Sequence, residues 1–193
     1  MTSTRETFHD LAADHTVVPV WRELVADLTT PVAAFARVVG DGPGFLLESV
    51  EHGERWSRWS FIGRNPLVSI VKRDGALTVE GPLPDGIEVG DSVLDLIEQL
   101  QSRLRAPALP ELPPMHSGIM GYIGYDIVRE VERLPNVPLD DLGLPDAMLS
   151  VIGELAVFDH WRQRVVLIAN AIVAVDADTE ILDAAYDDAV ERL

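Results

Sequence analysis

Apolar residues recur at helical spacing in several stretches of the chain, and β-branched runs separate them. Residues 4–14 read as a short amphipathic helix with Phe8, Leu11 and Ala12 on one side. A second helix is framed by Thr30 as N-cap, Pro31 at the first helical position and Gly40 as a left-handed stop. Its apolar stripe is Val32, Phe35, Ala36 and Val39. Ser92 caps a third helix running to residue 105, with Val93, Leu96, Ile97, Leu100 and Leu104 inward. Asp95, three residues after that cap, is a short stand-in for a capping-box Glu or Gln. Residues 126–134 suggest a short helix of alternating charge, capped by Asp126. A last helix, capped by Asp176 or Asp178, presents Ile181, Leu182, Ala185, Ala189 and Val190 to the core.

Strands are predicted at residues 15–24, 45–50, 59–63, 67–73, 118–125, 147–158 and 164–175. Pro19 has no amide hydrogen to donate, which points the first of these to a sheet edge or out of a sheet altogether. Asp74-Gly75 marks a tight hairpin, because a primed turn needs positive φ. Gly118, Gly121 and Gly124 recur every third residue, and their missing side chains let a neighbouring element approach closely. Residues 81–90, the proline-bearing 106–117 and 135–145 read as loops. Hairpins without regular βαβ alternation predict an α+β fold, with antiparallel strands in stacked sheets and helices flanking them.

The chain has 193 residues, enough to bury a substantial core. Fifteen Lys and Arg against 32 Asp and Glu leave a formal charge of −17. Nucleic acid and membrane surfaces are themselves anionic, so neither is expected as a partner. Cysteine is absent, which removes disulfides, a thiolate nucleophile and Cys-ligated metal, and fits a reducing cytoplasm. The opening MTSTRETFHD lacks the apolar stretch of a signal peptide. The longest apolar stretch, 165–175, is interrupted by Asn170 and falls short of the ~20 residues that span a bilayer. A cytoplasmic location is therefore expected.

Most familiar chemistry finds no match. The five histidines are scattered without HExxH spacing, and the glycines near 121 fit neither a dinucleotide fingerprint nor a P-loop. No G-x-S-x-G elbow occurs. Asp140-Asp141 and Asp187-Asp188 read as solvated faces in so acidic a chain.

Two segments are distinctive. FLLES at 45–49 is followed by RWSRWSFIG at 55–63, which packs tryptophans, arginines and serines together. Rings with hydroxyls suit an amino acid or aromatic ligand, and Arg58 can pair with a carboxylate. Read from the residues alone, the pattern better suits a strand whose Trp and Phe fill a core while Ser and Arg face water. GIMGYIGYD at 118–126 carries Tyr122 and Tyr125, whose hydroxyls need partners if buried. Its role reads as structural.

LLES at 46–49, SRWSFIG at 57–63 and GYIGYD at 121–126 resemble the N-terminal region of anthranilate synthase component I, in order and in spacing. The 15–20 segment and the LIANA strand at 167–171 extend the resemblance over nearly the whole chain. Aminodeoxychorismate synthase, which feeds folate, shares the pattern, though HTVVPV and SRWSFIG read more like the anthranilate enzyme. A stand-alone, non-catalytic binding module on the same fold is a third reading.

The resemblance implies that residues 1–193 form the N-terminal regulatory domain of that family. It implies a reaction of chorismate with ammonia, drawn from glutamine by an amidotransferase subunit (component II), to anthranilate and pyruvate. This carbon–oxygen lyase step opens tryptophan biosynthesis. The chemistry and the Mg2+ belong to a C-terminal chorismate-binding domain, so no catalytic residue or metal ligand is assigned here and the chain alone is expected to be inactive. L-tryptophan is implied as feedback inhibitor. Its site maps to Ser49, with Leu47 and Glu48 beside it on one strand and Trp59 ten residues on. The apolar stripe of the last helix runs to Leu193 without a stop signal, so a cut within the element and an exposed apolar surface are expected.

Overall fold

The structure is a computed structural model and describes residues 2–48 and 58–193. One sheet has five strands in the order β1 (Val17–Val25), β9 (Arg164–Ile172), β8 (Glu154–Asp159), β3 (Trp59–Arg64) and β2 (Gly44–Glu48). The other has four, in the order β5 (Ala76–Glu80), β4 (Val68–Arg73), β7 (Ala147–Val151) and β6 (Ile119–Ile123). Every pairing in both is antiparallel. The α+β architecture expected from the hairpin pattern is present. Pro19 lies on edge strand β1, and Asp74 and Gly75 both take positive φ between β4 and β5.

Among the described residues, four α-helices flank the sheets. α1 (Arg5–Ala12) and α4 (Thr179–Arg192) pack Phe8, Ala12 and Ala189 over Val18, Val20, Ala169 and Ala171. α2 (Pro31–Val38) lays Phe35, with the adjacent Val39, against Ile62, Phe158 and Val165. α3 (Val93–Arg103) seats Val93, Leu96 and Leu100 on Val68, Ile70 and Leu149 of the smaller sheet. The opposite face of the larger sheet holds Trp21, Leu155, Val157 and Ile168 under Leu109 and Leu112 of the proline-bearing loop. The caps read from sequence form. Side-chain oxygens of Thr30, Ser92 and Asp178 accept the amides of Ala33, Asp95 and Ile181 at 3.2, 3.1 and 2.9 Å.

The expected strand 147–158 is two strands in two sheets. The chain leaves the smaller sheet at Val151 and enters the larger at Glu154. Between them Gly153 lies so close to the Asn65 carbonyl oxygen that a Cβ would meet it at 1.9 Å. The other crossing between the sheets, residues 65–67, runs alongside, and the Leu67 amide donates to the Val151 carbonyl at 2.9 Å. Glu154, buried, accepts from Arg64 Nε at 2.7 Å and Asn65 Nδ2 at 3.2 Å, which fastens the two crossings together. Ala147, Leu149 and Val151 before the bend and Leu155, Val157 and Phe158 after it are apolar and buried, so the apolar pattern alone carried no sign of the break.

Two other expectations change. Residues 126–134 form a shorter 3-10 helix, Tyr125–Glu130, that begins after Gly124 without a side-chain cap. Asp126 instead accepts from Arg129 Nε at 2.8 Å. Tyr122 and Tyr125 are exposed, and the Tyr122 hydroxyl donates to the Pro145 carbonyl at 3.0 Å. On α2, Val32 and Ala36 face outward while Pro31 is buried, and on α4 Ile181 is exposed while Tyr186 turns inward against Phe8. Of the three glycines, Gly121 and Gly124 are closely approached, since a Cβ would meet the Met148 carbonyl oxygen at 2.0 Å and the Asp146 carbonyl oxygen at 2.8 Å, while Gly118 has nothing within 4 Å.

Candidate functional site

β2 is an edge strand, and its register against β3 places Leu47 opposite Phe61 and Glu48 opposite Ser60. Side chains alternate across a strand. Phe45, Leu47, Trp59 and Phe61 therefore share one face of the larger sheet, and Glu48, Ser60 and Ile62 the other. Of the residues proposed from sequence, Leu47 and Trp59 are brought together and Glu48 is turned away from them. Ser49 lies outside the described residues.

On the Trp59 face, Asp159 is 3% exposed and accepts Arg58 Nε at 3.0 Å and Nη2 at 2.6 Å. It also accepts the amides of Trp161 and Arg162 at 3.1 and 3.3 Å. Burial pushes the Asp159 carboxyl up, but the guanidinium and the two amides outweigh it and hold the group below the usual range. The Arg58 guanidinium lies 4.3 Å from the Trp59 ring centre and 5.1 Å from that of Trp161. Arg58 thus has its carboxylate inside the fold, and one face of Trp59 is already covered.

On the opposite face, Ser60 Oγ lies 2.7 Å from His160 Nε2 and 3.5 Å from Glu48 Oε1. A hydroxyl next to an imidazole is the contact expected of an activated nucleophile. Ser60 is only 2% exposed, however, so substrate has no access to it. The three residues are a hydrogen-bonding unit. The sequence reading missed this unit, since nothing local links positions 48, 60 and 160.

A cleft of about 320 Å³ opens between the sheets, lined by Phe45, Pro66, Met120, Tyr122, Met148 and Ile152, with the Arg64–Glu154 pair in its wall. Leu47, Glu48 and Trp59 do not line it. Phe45 does, two residues before Leu47 on the same face of β2.

A second polar cluster was also invisible in sequence. Glu130 accepts the Ser92 hydroxyl at 2.9 Å and the amides of Val93 and Leu94 at 3.2 Å each, so it caps α3 from outside the helix. Lys72 Nζ lies 3.3 Å from Glu130 and also donates to the Asp91 carbonyl. Burial raises the Glu130 carboxyl, but these donors together bring it below the usual range. Among the described residues, no three His, Asp or Glu side chains gather as a metal site. No helix among them is long and apolar enough to cross a membrane.

No protein-family model matches the chain. Across all 193 residues it is 45% identical to anthranilate synthase component 1 of Mycolicibacterium smegmatis. Its homologues are anthranilate synthase component 1 chains. The counterpart from Mycobacterium tuberculosis is 42% identical over the whole of this chain, and that from Acetivibrio thermocellus 36% over 95% of it. The chain spans between 36% and 38% of the length of these three relatives. The crystal structure of anthranilate synthase component I from Streptococcus pneumoniae aligns with 88% of this chain and 36% of its own, at a TM-score of 0.50 and 24% identity. That likeness is one of fold.

Proposed function

We propose that the chain is the N-terminal, tryptophan-sensing region of an anthranilate synthase component I. The observation that carries this reading is 45% identity over every residue of the chain, against 37% of the relative's length. In this reading the rest of the polypeptide converts chorismate to anthranilate and pyruvate in the cytoplasm. It holds the Mg2+ and takes ammonia from component II. The residues of this chain bind and do not react.

L-tryptophan would lie on the Leu47–Trp59 face of β2 and β3, beside Ser49. An edge strand has main-chain donors and acceptors free of a strand partner, which suits the ligand's ammonium and carboxylate. A ligand held between this sheet and the rest of the polypeptide shifts their arrangement only if it prefers one arrangement. Feedback inhibition would work in that way.

The test uses the intact polypeptide that carries this chain, assayed for anthranilate from chorismate and ammonia while L-tryptophan is titrated. Ser49→Phe should raise the tryptophan needed for half-inhibition more than tenfold and leave uninhibited turnover intact. Failure to form anthranilate, or unchanged inhibition in Ser49→Phe, overturns the reading.

A further inference from the structure

We infer that Ser60 and His160 are positioning residues for Glu48, and that the protonation state of His160 sets how firmly the end of β2 is held. The inference rests on the tryptophan-sensing reading for its consequence, though its geometry stands alone. Ser60 Oγ sits between His160 Nε2 at 2.7 Å and Glu48 Oε1 at 3.5 Å. A serine hydroxyl carries one hydrogen and can donate to only one of them. When Nε2 of neutral His160 is an acceptor, the hydroxyl proton points to it and not to Glu48. When His160 is protonated, Nε2–H donates to Ser60 Oγ, and the hydroxyl proton turns to the Glu48 carboxylate.

The framework around the unit is fixed. Ser60 is buried, the His160 ring stacks on Phe158 with centroids 6.4 Å apart, and the His160 amide donates to the Arg58 carbonyl at 2.9 Å. Asp159 and His160 therefore grip the start of β3 from both faces of the sheet, one through Arg58 and the other through Ser60. Glu48 is the charged partner from β2. Arg58, Asp159 and Arg162 are engaged with one another on the far face, and α2 contributes Arg37, which is exposed. Leu47, the neighbour of Glu48 in β2, lies on the proposed ligand face, so a firmer hold on Glu48 steadies the strand that carries it.

The experiment uses the intact polypeptide with two readouts. In NMR titrations, the β2 amides of Leu47 and Glu48 should follow the His160 imidazole through its titration, and should cease to do so in Ser60→Ala. By calorimetry, L-tryptophan should bind the parent protein about three- to tenfold more tightly at pH 5.5 than at pH 8, the range of one hydrogen bond. The difference should vanish in His160→Gln and in Ser60→Ala. β2 amides that ignore the His160 titration, or a pH dependence that survives His160→Gln, overturn the inference. If the parent binds no L-tryptophan at either pH, the tryptophan-sensing reading fails, and the positioning role is decided by the NMR result.

Discussion

Leu47 and Glu48 are neighbours in β2, yet their side chains leave opposite faces of the five-stranded sheet, toward Phe61 and Ser60 respectively. A ligand on one face cannot touch both side chains. Leu47 and Trp59 should therefore behave as a pair in binding, and Glu48 as a separate contributor. In double-mutant cycles on L-tryptophan affinity, Leu47→Ala with Trp59→Ala should show coupling of at least about 0.5 kcal/mol. Leu47→Ala with Glu48→Gln should add within about 0.5 kcal/mol.

The glycine at the sheet crossing should tolerate no side chain. Gly153→Ala would drive a Cβ into backbone at Asn65 and should cost about 3 kcal/mol or more in urea unfolding. Gly90→Ala, where nothing lies within 4 Å, should change stability by no more than about 0.5 kcal/mol.

The buried clamp should outweigh the exposed ion pair. Arg58→Met strands the carboxylate of Asp159, whose side chain is 4% exposed, and should destabilise by about 2–3 kcal/mol. Arg5 meets Asp183 with both side chains more than 40% exposed, so Arg5→Met should lower stability far less than Arg58→Met. Thermal unfolding of the two variants gives the comparison.

Acid should loosen the α3 end of the molecule and the clamp together. Glu130 and Asp159 are both held below the ordinary carboxylate range. Their contribution is complete above about pH 5 and is lost as pH falls through about 4 toward their lowered values. Stability measured from pH 6 down to pH 3 should fall less steeply in Glu130→Gln, whose stability at pH 6 starts lower.

Local chemistry was legible where a few adjacent residues decide the outcome. The caps at Thr30, Ser92 and Asp178, the Asp74-Gly75 turn and the edge position of Pro19 all follow from the backbone needs of single residues. The 147–158 break was not legible, because a strand that changes sheets stays apolar on both sides of the bend. Val32 and Ile181 were placed inward because apolar spacing identifies a stripe but not which edge of it meets the core. At the candidate site, the motif named Leu47, Glu48 and Trp59, and only register could sort them by face. Ser60, His160, Glu130 and Lys72 act through partners tens of residues away, so no window of sequence could join them.

The two sheets are strung on a pair of adjoining crossings, at 65–67 and at Ile152-Gly153, locked by one carboxylate. Such a joint behaves as a stiff hinge pin. A change in the angle between the sheets would bend the chain at these crossings, and the cleft beside them would widen or narrow with it. A molecule wedged in that cleft would act on the joint at short leverage, and Glu154 is the residue that would resist it.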